Sequence, residues 1–250
     1  MNNGMNNNGM NNNGMNNNGM NNGMNNGMNN GIINVFQPDL VRGQEVSKYA
    51  KKMGYGSNKR YFYVETPGYE KNKSSGFRVF MRACCFIHLK GERDTSKFIV
   101  VKDTKLAASG KSWEPPKGQT EGKDGLKNLS TPLLKVLQEN LRREVYEEAK
   151  IEEDALQKLH HTGLVLQSRE DDYPENTYFQ YHIFQAFIDI SDFEKAKEKF
   201  LWYKEHPKAW NHLRKDHREK NEIDWFDPKT TKLQGRWSPH IVALYLNMFR

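Results

Sequence analysis

WEPPKGQTEGKDG, residues Trp113–Gly125, and LRREVYEEAKI, residues Leu141–Ile151, are the two pieces on which the rest of the chain turns. In the second piece Glu144, Glu147 and Glu148 stand at i, i+3 and i+4, so a helix puts all three carboxylates on one face. Such a cluster repels itself unless solvent or cations screen it, and oxygen-rich sites of this kind suit hard divalent ions such as Mg²⁺ or Mn²⁺. The plainer reading is a solvated Glu-rich face balanced by Arg142, Arg143 and Lys150. In the first piece, a rigid Pro115-Pro116 step leads into Lys117 and the turn residue Gly118, which is loop chemistry just ahead of a helix.

Together the two pieces resemble the signature of the Nudix hydrolases, a Gly-led loop running into a helix that reads Arg-Glu-aliphatic-any-Glu-Glu-any-Gly-aliphatic. Gly118 matches the leading Gly, and Arg143, Glu144, Val145, Glu147, Glu148 and Ile151 match the helix in order. Trp113 and the Pro116-Lys117-Gly118 run also look like the start of that loop in dinucleoside-tetraphosphate hydrolases and messenger-RNA decapping enzymes. The chain departs from the pattern at three points. Asp124 stands where the loop Glu is expected, with Glu121 as the other residue that could face Arg143. Lys150 replaces the final Gly, and an insertion lies within residues 125–141. Lengthening a loop costs only about 0.6 kcal/mol per doubling, so the helix can still dock. Whether the helix stops at Ala149 or runs on through Ile151-Glu152-Glu153 stays open at this stage.

The chain has 250 residues, a formal net charge of +7 and two cysteines. Residues 1–31 repeat Met-Asn-Asn-(Asn)-Gly, offer almost nothing that could bury a core, and read as a disordered low-complexity tail. Residues 32–76 form a basic N-terminal extension packed on the domain, with a strand expected at 60–66. Residues 77–250 are the expected Nudix-type domain. Adjacent Cys84 and Cys85 on a strand point to opposite faces, which excludes a disulfide framework and fits a reducing, cytoplasmic or other intracellular compartment. No apolar run approaches 18 residues, so a membrane span is not expected, and nothing in the sequence calls for an obligate protein partner. The positive charge favours polyanions, which include nucleotides, inositol phosphates and RNA.

Strands are expected at 77–89, 96–102, 162–168, 177–190 and 221–228. The motif helix is expected over Pro132–Lys150, with Leu134, Leu137, Leu141, Val145 and Ala149 as its buried stripe and the three glutamates off to one side. Later helices are expected to begin with Ser191 and Ser238 as N-caps. Between Lys195 and Lys220, nine Lys or Arg face four Asp or Glu, interleaved with Trp202, Tyr203 and Trp210. This segment reads either as a phosphate-facing surface with stacking aromatics, or as a helical pair that buries Phe200, Leu201, Trp202 and Trp210. His206, His212 and His217 read as surface histidines, and Glu170, Asp171 and Glu175 are outside candidates for a further ligand or base.

Strands on both sides of a carboxylate helix, closed by a C-terminal helix, give an α+β fold; the resemblance implies the Nudix α/β/α sandwich with a mixed sheet. It also implies metal-dependent hydrolysis of a phosphoanhydride in a nucleoside-diphosphate-linked substrate. Glu144, Glu147, Glu148 and the Gly118 backbone are then expected around Mg²⁺ or Mn²⁺. Glu147, Glu148 and Arg143 are expected in the chemistry, and Lys117, Trp113, Lys208, Arg214 and Lys215 on the substrate. Capped RNA, a small dinucleoside polyphosphate and a diphosphoinositol polyphosphate are the candidate substrates, beside a catalytically inactive Nudix-fold module or a basic RNA-binding protein.

Overall fold

The computed structural model describes residues 61–65, 76–92, 94–105, 112–125, 131–168, 173, 177–234 and 237–248. The Asn-rich tail, most of the basic extension, residues 126–130 of the insertion, and Glu170, Asp171 and Glu175 lie outside them.

The longest strand, β2 (Gly76–Leu89), is the spine. Its first residues pair antiparallel with β1 (Phe62–Glu65), so the basic extension contributes one strand to the sheet. The next part of β2 pairs antiparallel with β5 (Lys117–Thr120), and its whole length from Arg78 pairs in parallel with β7 (Thr177–Ile188). β6 (Gln157–Ser168) closes the far edge antiparallel to β7. A parallel pair needs a long crossover, and the chain between β2 and β7 includes the motif helix. A second sheet, antiparallel throughout, has the order β4 (Trp113–Glu114), β3 (Ile99–Asp103), β8 (Lys220–Trp225). The α+β class therefore stands, while the single mixed sheet expected from the sequence is two sheets.

Alternation along β2 explains why both of its faces are buried. Val79, Met81, Ala83, Cys85 and Ile87 enter one core with the motif helix, whereas Cys84 and Phe86 enter a second core with the C-terminal helix. Both cysteines are free and buried, one in each core.

The short α1 (Gly122–Gly125) precedes the motif helix α2 (Leu133–Ala149). α2 buries Leu133, Val136, Leu137, Leu141, Val145 and Ala149; Leu134, expected in that stripe, is only partly buried at its edge. The helix stops at Ala149 because Lys150 adopts φ 60°, ψ 18°, the left-handed cap usually given to Gly. Lys150 meets this backbone cost with its side chain, whose ammonium donates to the helix-terminal carbonyl of Glu147 and, at 2.7 Å, to that of His217.

α3 (Ile190–Glu205) and the short α4 (Pro207–His212) follow β7, and α5 (Trp237–Met248) ends the described chain. Neither serine caps as expected. α3 starts after Asp189, whose carboxylate accepts from Gln157 at 2.7 Å and pairs with Lys90. Ser238 lies inside the first turn of α5, and its hydroxyl donates to Glu114 at 3.3 Å. In α3 Phe200 is buried, but Leu201 and Trp202 are exposed and Trp210 of α4 only partly covered, so the fully buried helical pair is not what forms. Among the described residues, no helix is long and apolar enough to cross a membrane.

Candidate active site

Three segments meet at the C-terminal half of α2: the β4-β5 turn, α2 itself, and the turn Asp216–Arg218 that enters β8. The β4-β5 turn is tied to the spine by the Cys85 N–H, which donates to the Pro116 carbonyl at 2.9 Å. This anchoring sets Lys117 and Gly118 against the helix. The Lys117 N–H donates to Glu148 Oε2 at 2.9 Å, and Gly118 lies so close to Glu144 that a Cβ at this position would overlap the Glu144 Cγ and Cδ. The glycine whose backbone is expected around the metal thus first admits the Glu144 side chain.

Arg143 organises the other two sides. Its Nη1 donates to Glu147 Oε2 at 2.8 Å, and its Nη2 donates to Glu144 Oε1 at 2.8 Å and Asn140 Oδ1 at 2.5 Å. One planar guanidinium with a fixed fork of donors holds two acidic side chains a turn apart. Asn140 is held in turn, donating to the Gln119 carbonyl at 3.2 Å and Thr120 Oγ1 at 3.1 Å. The glutamates are not a solvated face: Glu147 and Glu148 are each 5% exposed and Glu144 is partly covered.

Beneath them sits an ion cluster. Lys220, 2% exposed at the start of β8, pairs with Glu114 of β4, with Glu148 Oε1 at 3.3 Å and with Asp103 at 3.4 Å. Glu114 also pairs with the Lys117 ammonium. Burial works against charge on Glu114, but Lys117 and Lys220 outweigh it and hold its pKa down to about 2. Glu148 shares Lys220 yet goes the other way. Burial, opposed by Lys220 and reinforced by Glu114, raises it to about 7. Glu114 pairs directly with two ammonium groups, whereas Glu148 pairs with Lys220, accepts the Lys117 N–H and feels the Lys117 ammonium and the Glu114 charge at longer range. Burial likewise raises Glu144 to about 7, Arg143 opposing and the other two glutamates adding.

Glu147 turns its second oxygen towards the Asp216–Arg218 turn. His217 Nε2 is 3.9 Å from Glu147 Oε1, and ligand atoms of Glu147, Asp216 and His217 all lie within 4.8 Å of one another. His217 is not a surface residue. Its ring lies edge-on to Tyr146, centroids 5.7 Å apart, and its side chain is 20% exposed.

The Lys117 ammonium faces Glu114, not open solvent alone. Trp113 is partly buried against the second core, with the Lys102 ammonium 5.4 Å from its ring centroid. Asp124 accepts the Glu121 N–H at 3.0 Å, closing its own short turn. Lys208, Arg214 and Lys215 are exposed on and after α4, and Arg214 pairs with Asp216 at 2.5 Å. Sequence reasoning missed Glu114, Lys220, Asp216 and the role of His217. Glu114 sits inside the quoted loop beside Trp113, but nothing local marks it as buried, and the other three come from a segment about 70 residues downstream of α2.

Three buried or half-buried carboxylates lie along α2, two of them with raised proton affinity, and Arg143 and Lys220 are the cations beside them; the group whose ligand atoms come within 4.8 Å of one another among the described residues is Glu147, Asp216 and His217. No family model matches the chain, and no curated protein matches it.

Proposed function

We propose that the protein is a divalent-metal-dependent hydrolase of the Nudix type, cleaving a phosphoanhydride bond in a nucleoside-diphosphate-linked substrate such as a capped RNA 5′ end. The observation that carries the reading is the apposition of Gly118 to Glu144, with Glu148 tied to the adjacent Lys117 N–H. Contact between the Gly118 loop and the glutamate helix supports this reading.

Glu144 and Glu148, one turn apart, would hold the ion, with Glu147 completing the set. When bound, Mg²⁺ or Mn²⁺ neutralises phosphate oxygens and lowers the pKa of water. In the reaction a water oxygen forms a bond to phosphorus, the bridging P–O bond breaks, and the leaving phosphate takes the electron pair. A carboxylate of the cluster would accept the proton of the attacking water, with Glu148 and Glu147 as the candidates. Arg143 positions Glu144 and Glu147.

The preference for RNA rests on the exposed face of α3 and α4. Trp202 stacks on His206 with centroids 4.3 Å apart and is half exposed, and Lys208 and Lys215 lie exposed nearby in sequence. A small dinucleoside polyphosphate is the second reading. It is favoured by internal neutralisation of that surface, where Lys199 pairs with Glu152, Lys204 with Glu222 and Arg214 with Asp216. Incubation of the purified protein with Mg²⁺ or Mn²⁺ and capped RNA, dinucleoside polyphosphates, nucleoside-diphosphate sugars or diphosphoinositol phosphates tests the proposal. Metal-dependent release of a phosphorylated product from one of them is expected; no turnover of any of them in either metal overturns it.

A further inference from the structure

We propose that Glu147, Asp216 and His217 form a mixed oxygen and nitrogen metal centre that selects Mn²⁺ or a similar transition ion over Mg²⁺. The inference rests on the hydrolase reading for the use made of the ion, and on geometry alone for its binding.

Glu147 divides its two oxygens between two neighbours. Oε2 accepts from Arg143 at 2.8 Å, so it is already held, while Oε1 faces His217 Nε2 at 3.9 Å. That separation is too long for a hydrogen bond. It suits two atoms bound to one ion, since ligands each about 2.1 Å from a metal stand about 3 to 4 Å apart. A carboxylate oxygen of Asp216 lies beside them, all three donors within 4.8 Å of one another, so side-chain shifts of under about 1 Å bring the set onto one ion.

The three residues come from α2 and from a turn about 70 positions later, and two fasteners hold that turn in place. The buried Lys150 ammonium bridges the Glu147 and His217 carbonyls, and the His217 ring rests edge-on against Tyr146. Asp216 is oriented by Arg214 and accepts the His217 N–H at 3.2 Å. Imidazole is a poor ligand for Mg²⁺, which prefers oxygen and retains water, and a good one for Mn²⁺, Fe²⁺ or Zn²⁺. A lone histidine among carboxylates therefore gives the centre its preference, which three glutamates alone would lack.

The test uses the full-length protein, Mn²⁺ and pulsed electron paramagnetic resonance. Mn²⁺ at this centre shows coupling to an imidazole nitrogen, and a purely carboxylate site does not. The coupling is expected in the parent protein and in Glu148→Gln, and is expected to vanish in His217→Gln. Asp216→Asn, altering a side chain 37% exposed, provides a second variant should His217→Gln fail to fold; it is expected to weaken Mn²⁺ binding by about 10-fold or more. The ratio of Mn²⁺ to Mg²⁺ affinity should narrow in His217→Gln. Absence of Mn²⁺ binding, bound Mn²⁺ without nitrogen coupling, coupling that persists in folded His217→Gln, or unchanged affinity in Asp216→Asn each overturns the proposal. Hydrolysis that depends on Glu148 but proceeds with no nitrogen coupling sinks this centre and leaves the hydrolase reading intact. Nitrogen coupling in a protein that turns over none of the phosphoanhydride panel does the reverse.

Discussion

Gly118 and Glu144 stand so close that only hydrogen fits between the Gly118 Cα and the Glu144 side chain. Gly118→Ala would therefore displace the carboxylate, since the overlap falls on Cγ and Cδ near the root of the side chain. Overpacking of this kind costs about 1–3 kcal/mol of stability. We expect a modest fall in unfolding free energy with a loss of turnover of about 10²-fold or more, measured by urea titration and steady-state assay. Full activity in a folded Gly118→Ala protein would remove Glu144 from the site.

Glu148→Gln keeps shape and an acceptor for the Lys117 N–H but removes charge. Turnover should fall by about 10²-fold or more, with secondary structure by circular dichroism unchanged. A rate near that of the parent on the best substrate would show that Glu148 is not part of the chemistry.

Two ion pairs of β8 should respond unequally to mutation. Glu114→Gln removes a buried carboxylate from Lys117 and Lys220, and breaking a buried pair on one side costs about 3–5 kcal/mol. Glu222→Gln removes a part-exposed partner of Lys102 and should cost less than about 1 kcal/mol. Chemical denaturation of both variants compares them directly; equal losses would contradict the assigned burial of the Glu114 cluster.

Glu144 supplies a pH test. Burial raises its folded pKa from the ordinary 4.5 to about 7, so the native chain keeps this proton to higher pH than the unfolded chain does. The stability tied to that proton is fully present below about 4.5 and is lost as pH rises through about 7. In chelator, the melting temperature of the parent should therefore drop relative to Glu144→Gln between pH 4.5 and pH 7.5. Parallel curves for the two proteins would count against the raised pKa.

Salt dependence separates the substrate readings. If RNA lies along α4, each phosphate contact contributes about −0.7 to the slope of log K against log salt. Charge reversal of Lys208 and Lys215, which leaves the Arg214–Asp216 pair in place, should weaken capped-RNA binding and flatten that slope, while leaving hydrolysis of a small dinucleoside polyphosphate almost unchanged. Identical RNA affinity and slope in the double variant would favour the compact nucleotide.

Much of this molecule is legible along the chain because its signals are local. Period-two apolarity in β2, the helical stripe of α2, and the i, i+3, i+4 spacing of Glu144, Glu147 and Glu148 depend on neighbours within a turn or a strand. So does the opposed placement of Cys84 and Cys85, which only requires a strand. What the tertiary structure decided is long-range. Lys220 reaches Glu114 and Glu148, and His217 reaches Glu147, across gaps that no periodicity spans. The sequence reading placed the three glutamates on a face offered to metal, but burial is a property of what packs against a helix, and here a β-turn and a downstream turn cover it. The same reasoning explains the two serines: each lies at a helix start as composition suggests, yet Ser238 meets a buried carboxylate from β4 and Asp189 occupies the place foreseen for Ser191. Sequence by itself determined the long strand, the motif helix and the acidic motif, since these are written in local spacing, whereas residues 113–120, read as a loop, become two short strands only by pairing with distant ones; tertiary structure likewise decided which carboxylates are paired, buried and basic, because charge and solvation depend on neighbours distant in the chain.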